Sequence, residues 1–446
     1  MRSLVASLVL FVIGTACGAG ISWLVTSADL AKARKLESVL RLRDEENDRL
    51  RSLVADSERT RELEKSKAQR DEIEKQVTSI RGLSFKQPVE YNVVTRKEIQ
   101  KVVATKLAET FSEEEFKNIS AALARLGLLP DGYPLRQKYI ELLGEQIAAF
   151  YDQHQHKLFM FEDASLENAQ NRVILSHELT HALQDQYFDL LHLPLEIKDN
   201  DDRAVAASAL VEGEATIVMS EYMMKNLSLR ALKDNVTASF SQNMDQLQKA
   251  PRYLREELVF PYLRGQEFCA ALIERGGYDA ISQAFAHPPT STAQILHPQK
   301  YLAEPREEPV AIQWPDLALD GQKPQTDNAL GELGIRIQLS EAGEGQTSEQ
   351  IAAGWRGDRY LTFRNGDALV WKSVWSSEDA AAKFFEAEQR RLEKGYHPAK
   401  SGAQEKDRYE TDAPRALRLV RSGNSVVLVD SGAADVAKKL EEKFGK

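Results

Sequence analysis

The chain is poor in cysteine: only Cys17 and Cys269 occur in its 446 residues. Cys17 lies in an apolar N-terminal run, so neither an internal disulfide nor a cysteine-based zinc cluster is expected. Histidine is also scarce, with eight in the whole chain, so two of them at ligand spacing carry weight. Positive charge is not in excess. The net charge of −10 argues against nucleic-acid binding as the main task. Glycine and proline are missing from residues 31–80, so nothing there interrupts a helix. With 42% hydrophobic and 28% charged residues, the composition is that of a folded chain long enough for two or three domains.

One apolar run stands apart, residues 4–27, between Arg2 and Asp29. As a helix it is long enough to cross a bilayer, which takes about 20 residues. Ile21, Trp23, Leu24 and Val25 carry it past the core of an ordinary signal peptide. The expectation is a transmembrane anchor within residues 1–28, with a cleaved signal as the alternative. Gly14-Thr15-Ala16-Cys17 lacks the aliphatic residue that opens a lipoprotein box. Lys32, Arg34, Lys35, Arg41 and Arg43 follow the run, and the positive-inside rule places them in the cytoplasm. A short basic N-terminus before a large body is also the layout of exported, signal-anchored proteins. Membrane anchoring with the body on a periplasmic or extracellular face is the expectation.

Within a stalk at 29–82, residues 31–80 are dense in Arg, Lys, Glu, Asp, Leu and Ala and predict one long helix. Leu36, Leu40, Leu50 and Val54 share an alternating three/four spacing, as do Ile73, Val77 and Ile80. Arg43, Asn47 and Glu64 interrupt the seam. The pattern fits a homodimeric coiled coil or a solvated stalk.

The chemistry is concentrated in Ser176-His177-Glu178-Leu179-Thr180-His181. Positions i and i+4 share a helix face, so His177 and His181 point to one place. This is the zinc-binding spacing of metalloproteases, with Glu178 as general base. Zinc needs a third protein ligand and an open position. A longer motif ending in a third histidine is absent, because Gln184 and Tyr187 stand at its Gly and His positions. A carboxylate is therefore expected. Glu212 is the choice, Glu214 the second candidate, and Glu221 reads as a solvated helix face. Gln184 and Asp185 are candidates to hold a ligand imidazole by its other nitrogen. His297, before Pro298, is a candidate second electrophilic donor or a capped, solvated histidine.

Around this motif, residues 90–95 read as a strand and 96–111, 112–126 and 136–147 as helices, with Ser112 and Glu115 forming a capping box. Residues 148–151 and 157–161 read as a hairpin, with His154 and His156 in a solvated tip. Residues 305–327 read as linker or edge structure and 331–340 as helix or strand. Beyond them come a hairpin around Asn365-Gly366, a helix at 377–394, a hairpin around Gly423-Asn424 and a helix at 433–444. Trp355, Trp371 and Trp375 are expected in the core, and position suggests that this region covers or extends the cleft.

His177-Glu178-Leu179-Thr180-His181 followed by Glu212-Gly213-Glu214-Ala215 resembles the gluzincin metallopeptidases. Phe260-Pro261-Tyr262-Leu263-Arg264-Gly265 resembles the P-Y-x-K-G segment of the aminopeptidase N family. The resemblance covers about residues 145–277. It implies zinc held by His177, His181 and Glu212, a water activated beside Glu178, and Tyr262 stabilising the tetrahedral intermediate. Residues 144–148, Gly-Glu-Gln-Ile-Ala, stand where that family has G-A-M-E-N, so an endopeptidase on peptide or protein substrates is expected. In zincins a strand just before the motif helix lines the substrate cleft, a role that falls to residues 157–161. The alternatives are an inactive zincin-fold scaffold and a zinc hydrolase of a non-peptide amide or ester. The expected class is α+β. A mostly helical zincin-like domain with a small sheet (83–304) follows a transmembrane helix (1–28) and stalk (29–82), and precedes a small α+β domain (305–446).

Overall fold

A computed structural model describes residues 64–146, 149–162, 164–228, 244–396 and 403–445, with four isolated positions between 41 and 49. The chain divides into two compact units, Met1–Arg70 and Asp71–Lys446. In the first, the described residues are helical. The second is α+β with two sheets. One part of the expected class is corrected: among the described residues no helix is long and apolar enough to cross a membrane. The run at 4–27, and Leu36, Leu40, Leu50 and Val54 of the proposed seam, lie outside the described residues.

The second unit opens on helix α1 (residues 71–81). Its apolar residues do not form a coiled-coil seam. Ile73, Val77 and Ile80 are buried in a core shared with Leu175, Leu179, Leu183, Val218 and Tyr222. A stripe at this spacing suits any apolar surface, and here the body of the chain supplies one. Gly82, at φ +75°, ends the helix in the left-handed conformation, and its N–H donates to the Thr78 carbonyl.

The longer helices of this part are α2 (Arg96–Thr110), α3 (Glu113–Arg125), α4 (Leu135–Gln146), α5 (Ala169–Phe188), α6 (Asp201–Asn226) and α7 (Arg252–Ala286). Ser112 and Glu115 cap α3 reciprocally, as their spacing predicts. Strands β1 (Glu90–Val94), β2 (Ala149–Asp152) and β3 (Lys157–Phe161) form a sheet in the order β1-β3-β2. This corrects the assignment of Lys157–Phe161 as the substrate edge. That strand is central, parallel to β1 on one side and antiparallel to β2 on the other. The edge nearest α5 belongs to β2.

Helices α6 and α7 cross at Gly213 and Gly265. A Cβ built on Gly213 would stand 2.2 Å from the Gly265 carbonyl carbon, and one on Gly265 would stand 2.1 Å from the Ala209 oxygen. No side chain fits at either position, so the two backbones touch. Pro261 lies inside α7 and lacks an N–H, which leaves the Glu257 carbonyl without its helical partner.

The C-terminal part is larger than two hairpins. After β4 (Thr326–Asn328) and α8 (Gly331–Ala342) come β5 (Trp355–Phe363), β6 (Ala368–Trp375), α9 (Glu378–Tyr396), β7 (Ala403–Glu405), β8 (Arg408–Thr411), β9 (Ala416–Ser422), β10 (Ser425–Ser431) and α10 (Ala434–Phe444). The sheet order is β4-β5-β6-β10-β9-β8-β7. Alternation sends Tyr360, Trp371 and Leu428 to one face, with Phe384 of α9, and Leu361, Val370 and Val429 to the other, with Leu440 and Phe444 of α10. Trp355, Trp371 and Trp375 are all buried. The Asp358 carboxylate accepts from the Leu330 and Gly331 amides and from both Trp355 and Trp371 Nε1.

Sheet and helices meet at Asp202. Its Oδ1 accepts from Thr292 N (2.9 Å) and Thr292 Oγ1 (2.5 Å), and Thr292 Oγ1 accepts in turn from the Leu333 amide. Burial pushes Asp202 up to about 7, against the hydrogen bonds from Thr292. Burial likewise lifts Glu257 to about 7. Both bind protons more readily folded than unfolded, where carboxyls titrate at about 4. Raising the pH from about 4 to 7 therefore removes stability. The melting temperature is expected to fall between about pH 4 and pH 7, and Asp202→Asn, which keeps the acceptor, should flatten the fall. A profile that rises across this window, or one unchanged by Asp202→Asn, would refute the assignment.

Candidate metal centre

The motif helix α5 is fixed from its buried side. Leu175, Leu179 and Leu183 repeat every four residues and are sealed in the core, each worth about 1.5–3 kcal/mol. Asn168 caps the helix by accepting from the Gln170 amide. With that face anchored, α5 presents His177, Glu178 and His181 together, each about nine-tenths buried.

Three side-chain atoms converge there. His181 Nε2 lies 3.0 Å from His177 Nε2, and Glu212 Oε2 lies 3.1 Å from His177 Nε2 and 3.5 Å from His181 Nε2. Ligands at zinc bond lengths in a tetrahedron stand roughly 3.3 Å apart. Among the described residues this is the group of three His, Cys or acidic residues placed to hold a metal. Two imidazole lone pairs and a carboxylate at this range need a proton between them or a cation at their centre. Hydrogen bonding is compatible with the cation. Both N–H groups of Gln184 are used, on the Val211 carbonyl (2.9 Å) and on Glu214 Oε2 (2.8 Å). Gln184 Oε1 must therefore accept from His181 Nδ1 (2.9 Å), which leaves Nε2 as the nitrogen that faces Glu212 and is placed to ligate. The donor set of two imidazoles and one carboxylate suits zinc. His177 Nδ1 is buried without a hydrogen-bond partner among the described residues.

The electrostatics follow from this crowding. Burial works to lower His181, but the Glu212 carboxylate outweighs it and lifts the imidazole to about 9. Burial works to raise Glu212, but His181 and His177 hold it far below the usual carboxylate range. Burial raises Glu178, against the two histidines. Glu178 Oε2 accepts from the Tyr151 amide of β2 (2.8 Å). Tyr262 of α7 lies across from α5, its ring stacked near His177 with centroids 6.1 Å apart. The Glu212 charge, with burial, raises the Tyr262 phenol well above its usual range, so it stays a donor. The residue as a whole is 42% exposed, while its hydroxyl end is the part that burial and Glu212 act on.

Glu212, Tyr262 and the three motif residues are thus brought together. Glu214 is not at the triad: two residues along a helix turn it about 200° away, where it pairs with Arg81. Of the two candidates to hold a ligand imidazole, Gln184 does so. Asp185 accepts instead from Tyr151 Oη and pairs with His156 Nδ1. His154 faces Glu196 at the hairpin tip. His297 lies elsewhere: its Nε2 is 2.6 Å from Glu332 Oε1, which Lys300 also approaches. Glu332 belongs to the junction at Asp202, ten residues or about 15 Å along α6 from Glu212. Sequence reasoning missed Arg81, although it continues the four-residue spacing of Ile73 and Val77 into the core.

The C-terminal region matches a family described as a domain of unknown function (DUF8575), over residues 319–441. The match spans the whole seven-stranded sheet and ends within α10. No curated protein and no solved structure matches the chain.

Proposed function

We propose that the protein is a zinc-dependent endopeptidase acting on peptide or protein substrates. The observation that carries this reading is the convergence of His177, His181 and Glu212 beside the Glu178 carboxylate. When bound, zinc supplies Lewis acidity to a water and to a substrate carbonyl. Glu178 takes a proton as that water attacks, then hands it to the leaving amine. The Tyr151 amide holds one oxygen of Glu178 and leaves the other for the water. The Tyr262 hydroxyl donates to the oxygen that gains charge, an interaction worth about 2.7–4 kcal/mol in other acyl-transfer sites. The outer edge of β2 offers backbone groups on which an extended peptide pairs. The resemblance of the Glu212 and Tyr262 segments to gluzincin and aminopeptidase N motifs supports the same assignment.

The test is metal analysis and casein hydrolysis with the purified whole chain. Near-stoichiometric zinc is expected, with hydrolysis lost to a chelator and restored by added zinc. Glu212→Ala is expected to lose the metal, and Glu214→Ala to retain most of it. A wild-type chain that takes up no zinc, or a zinc-loaded chain that cuts no peptide bond, would sink the proposal.

A further inference from the structure

We infer that Arg81, at the end of the helix leading into the body, is a positioning residue for the metal centre, acting through Glu214 and Gln184 on His181. The inference rests on reading the triad as a metal site. Arg81 is buried, and its guanidinium lies 5.0 Å from the centre of the Tyr278 ring. Its Nη2 donates to Ser282 Oγ (2.8 Å), and its Nε donates to Glu214 Oε1. Glu214 is fully buried, and its other oxygen accepts from Gln184. Gln184 in turn accepts from His181. Every link has one direction of donation. Arg81 has only donors, the Glu214 carboxylate only acceptors, and the Gln184 amide is turned so that its oxygen meets His181.

The chain of bonds selects a tautomer. With the Gln184 oxygen facing Nδ1, the His181 proton sits on Nδ1 and Nε2 is free to ligate. If the amide turned over, its NH₂ would face Nδ1 and the proton would move to Nε2, the atom needed by the metal. Glu214 and the Val211 carbonyl oppose that turn because both accept from Gln184 Nε2, and Arg81 fixes Glu214 in place. Two bonds from one planar fork, one to Glu214 and one to Ser282, set its position better than a point charge would. A buried ion pair is weak evidence of added stability, so orientation of the ligand is the stronger account of this one. It also makes α1, which precedes the motif helix by almost 90 residues, part of the metal centre.

The test is a double-mutant cycle on zinc affinity in the full chain, by chelator competition, with the absorption spectrum of the cobalt-substituted protein as a second readout. Gln184→Met is expected to weaken zinc binding by about 10–100-fold, the range for partners of a ligating histidine. Arg81→Lys keeps the charge but loses the fork, and should weaken binding by roughly 5–10-fold and shift the cobalt bands. The double variant should bind as weakly as Gln184→Met alone, because both act along one path. Circular dichroism checks that each variant folds. Wild-type affinity in folded Arg81→Lys, or a double variant whose loss is the product of the two single losses, would overturn the inference. Should Arg81→Lys not fold, Glu214→Gln replaces it in the same cycle with the same criteria. Failure of the wild-type chain to bind zinc would instead refute the metal centre itself.

Discussion

Glu178→Gln is expected to leave zinc bound and to lower peptide hydrolysis by about 10²–10⁴-fold, the usual contribution of a general base. The substitution is nearly isosteric. The glutamine oxygen still accepts from the Tyr151 amide, so β2 and α5 keep their contact. What is lost is the ability to take a proton. Glu178 is not among the three converging ligand atoms, so zinc content should be that of the wild-type chain. Burial disfavours the charged carboxylate, so the neutral amide should not lower the melting temperature. Three readouts thus separate: activity falls, metal stays and stability holds. Casein hydrolysis at the wild-type rate would remove Glu178 as the base. Zinc lost together with activity would make it a ligand.

The motif was legible because its chemistry is local. Four residues of spacing place His177 and His181 together wherever a helix forms, and Glu178 comes with them. A carboxylate was legible by elimination of a third histidine and Glu212 by its Glu-Gly-x-Ala setting, whereas Glu214 is turned away by the helix. The partners of Glu214 were not legible. Arg81 stands 133 residues away, and in the sequence it is one arginine among many at the end of a charged helix. Its place on the stripe of Ile73 and Val77 marks it only once that stripe is known to face the core rather than a second chain. The central position of β3 was also hidden. A hairpin pattern shows that β2 and β3 pair, but the parallel partner β1 lies more than 60 residues upstream, and nothing local encodes that pairing.

In the C-terminal region the turn residues located the central strands. Asn365 and Gly366 take positive φ, at +56° and +79°, as a tight hairpin requires. The edge strands β4 and β7 are three residues long, too short for alternation to show. His297 illustrates the opposite error. A histidine in a polar loop after the last helix of the domain reads as available, yet the fold supplies Glu332 from beyond a linker.

Gly265→Ala is expected to damage both stability and activity, more than its single methyl suggests. Its Cβ would meet the Ala209 carbonyl oxygen at 2.1 Å and Ala209 Cα at 3.1 Å. These are backbone atoms of α6, so no rotamer relieves the contact and one helix must move. The neighbours oppose that movement: Phe268 and Leu272 are buried in the same core, and Cys269 Sγ lies 3.6 Å from the Leu210 carbonyl. Overpacking of this kind costs about 1–3 kcal/mol and sometimes more. The displaced helix carries Tyr262, one turn before Gly265, while α6 carries Glu212, next to Gly213. A shift near 1 Å between reacting groups costs on the order of 10²-fold in rate. A lowered melting temperature is therefore expected together with a roughly hundredfold loss of hydrolysis in the fraction that stays folded. Gly213→Ala, whose Cβ would meet the Gly265 backbone at 2.2 Å, should behave alike. Gly395→Ala is the control, since a Cβ there meets nothing within 4 Å. It should be neutral or slightly stabilising. A Gly265→Ala chain with wild-type melting and wild-type activity would show that the close crossing of α6 and α7 does not set the distance between Tyr262 and Glu212. The glycines of the E-G-x-A and P-Y-x-x-G segments would then need another explanation.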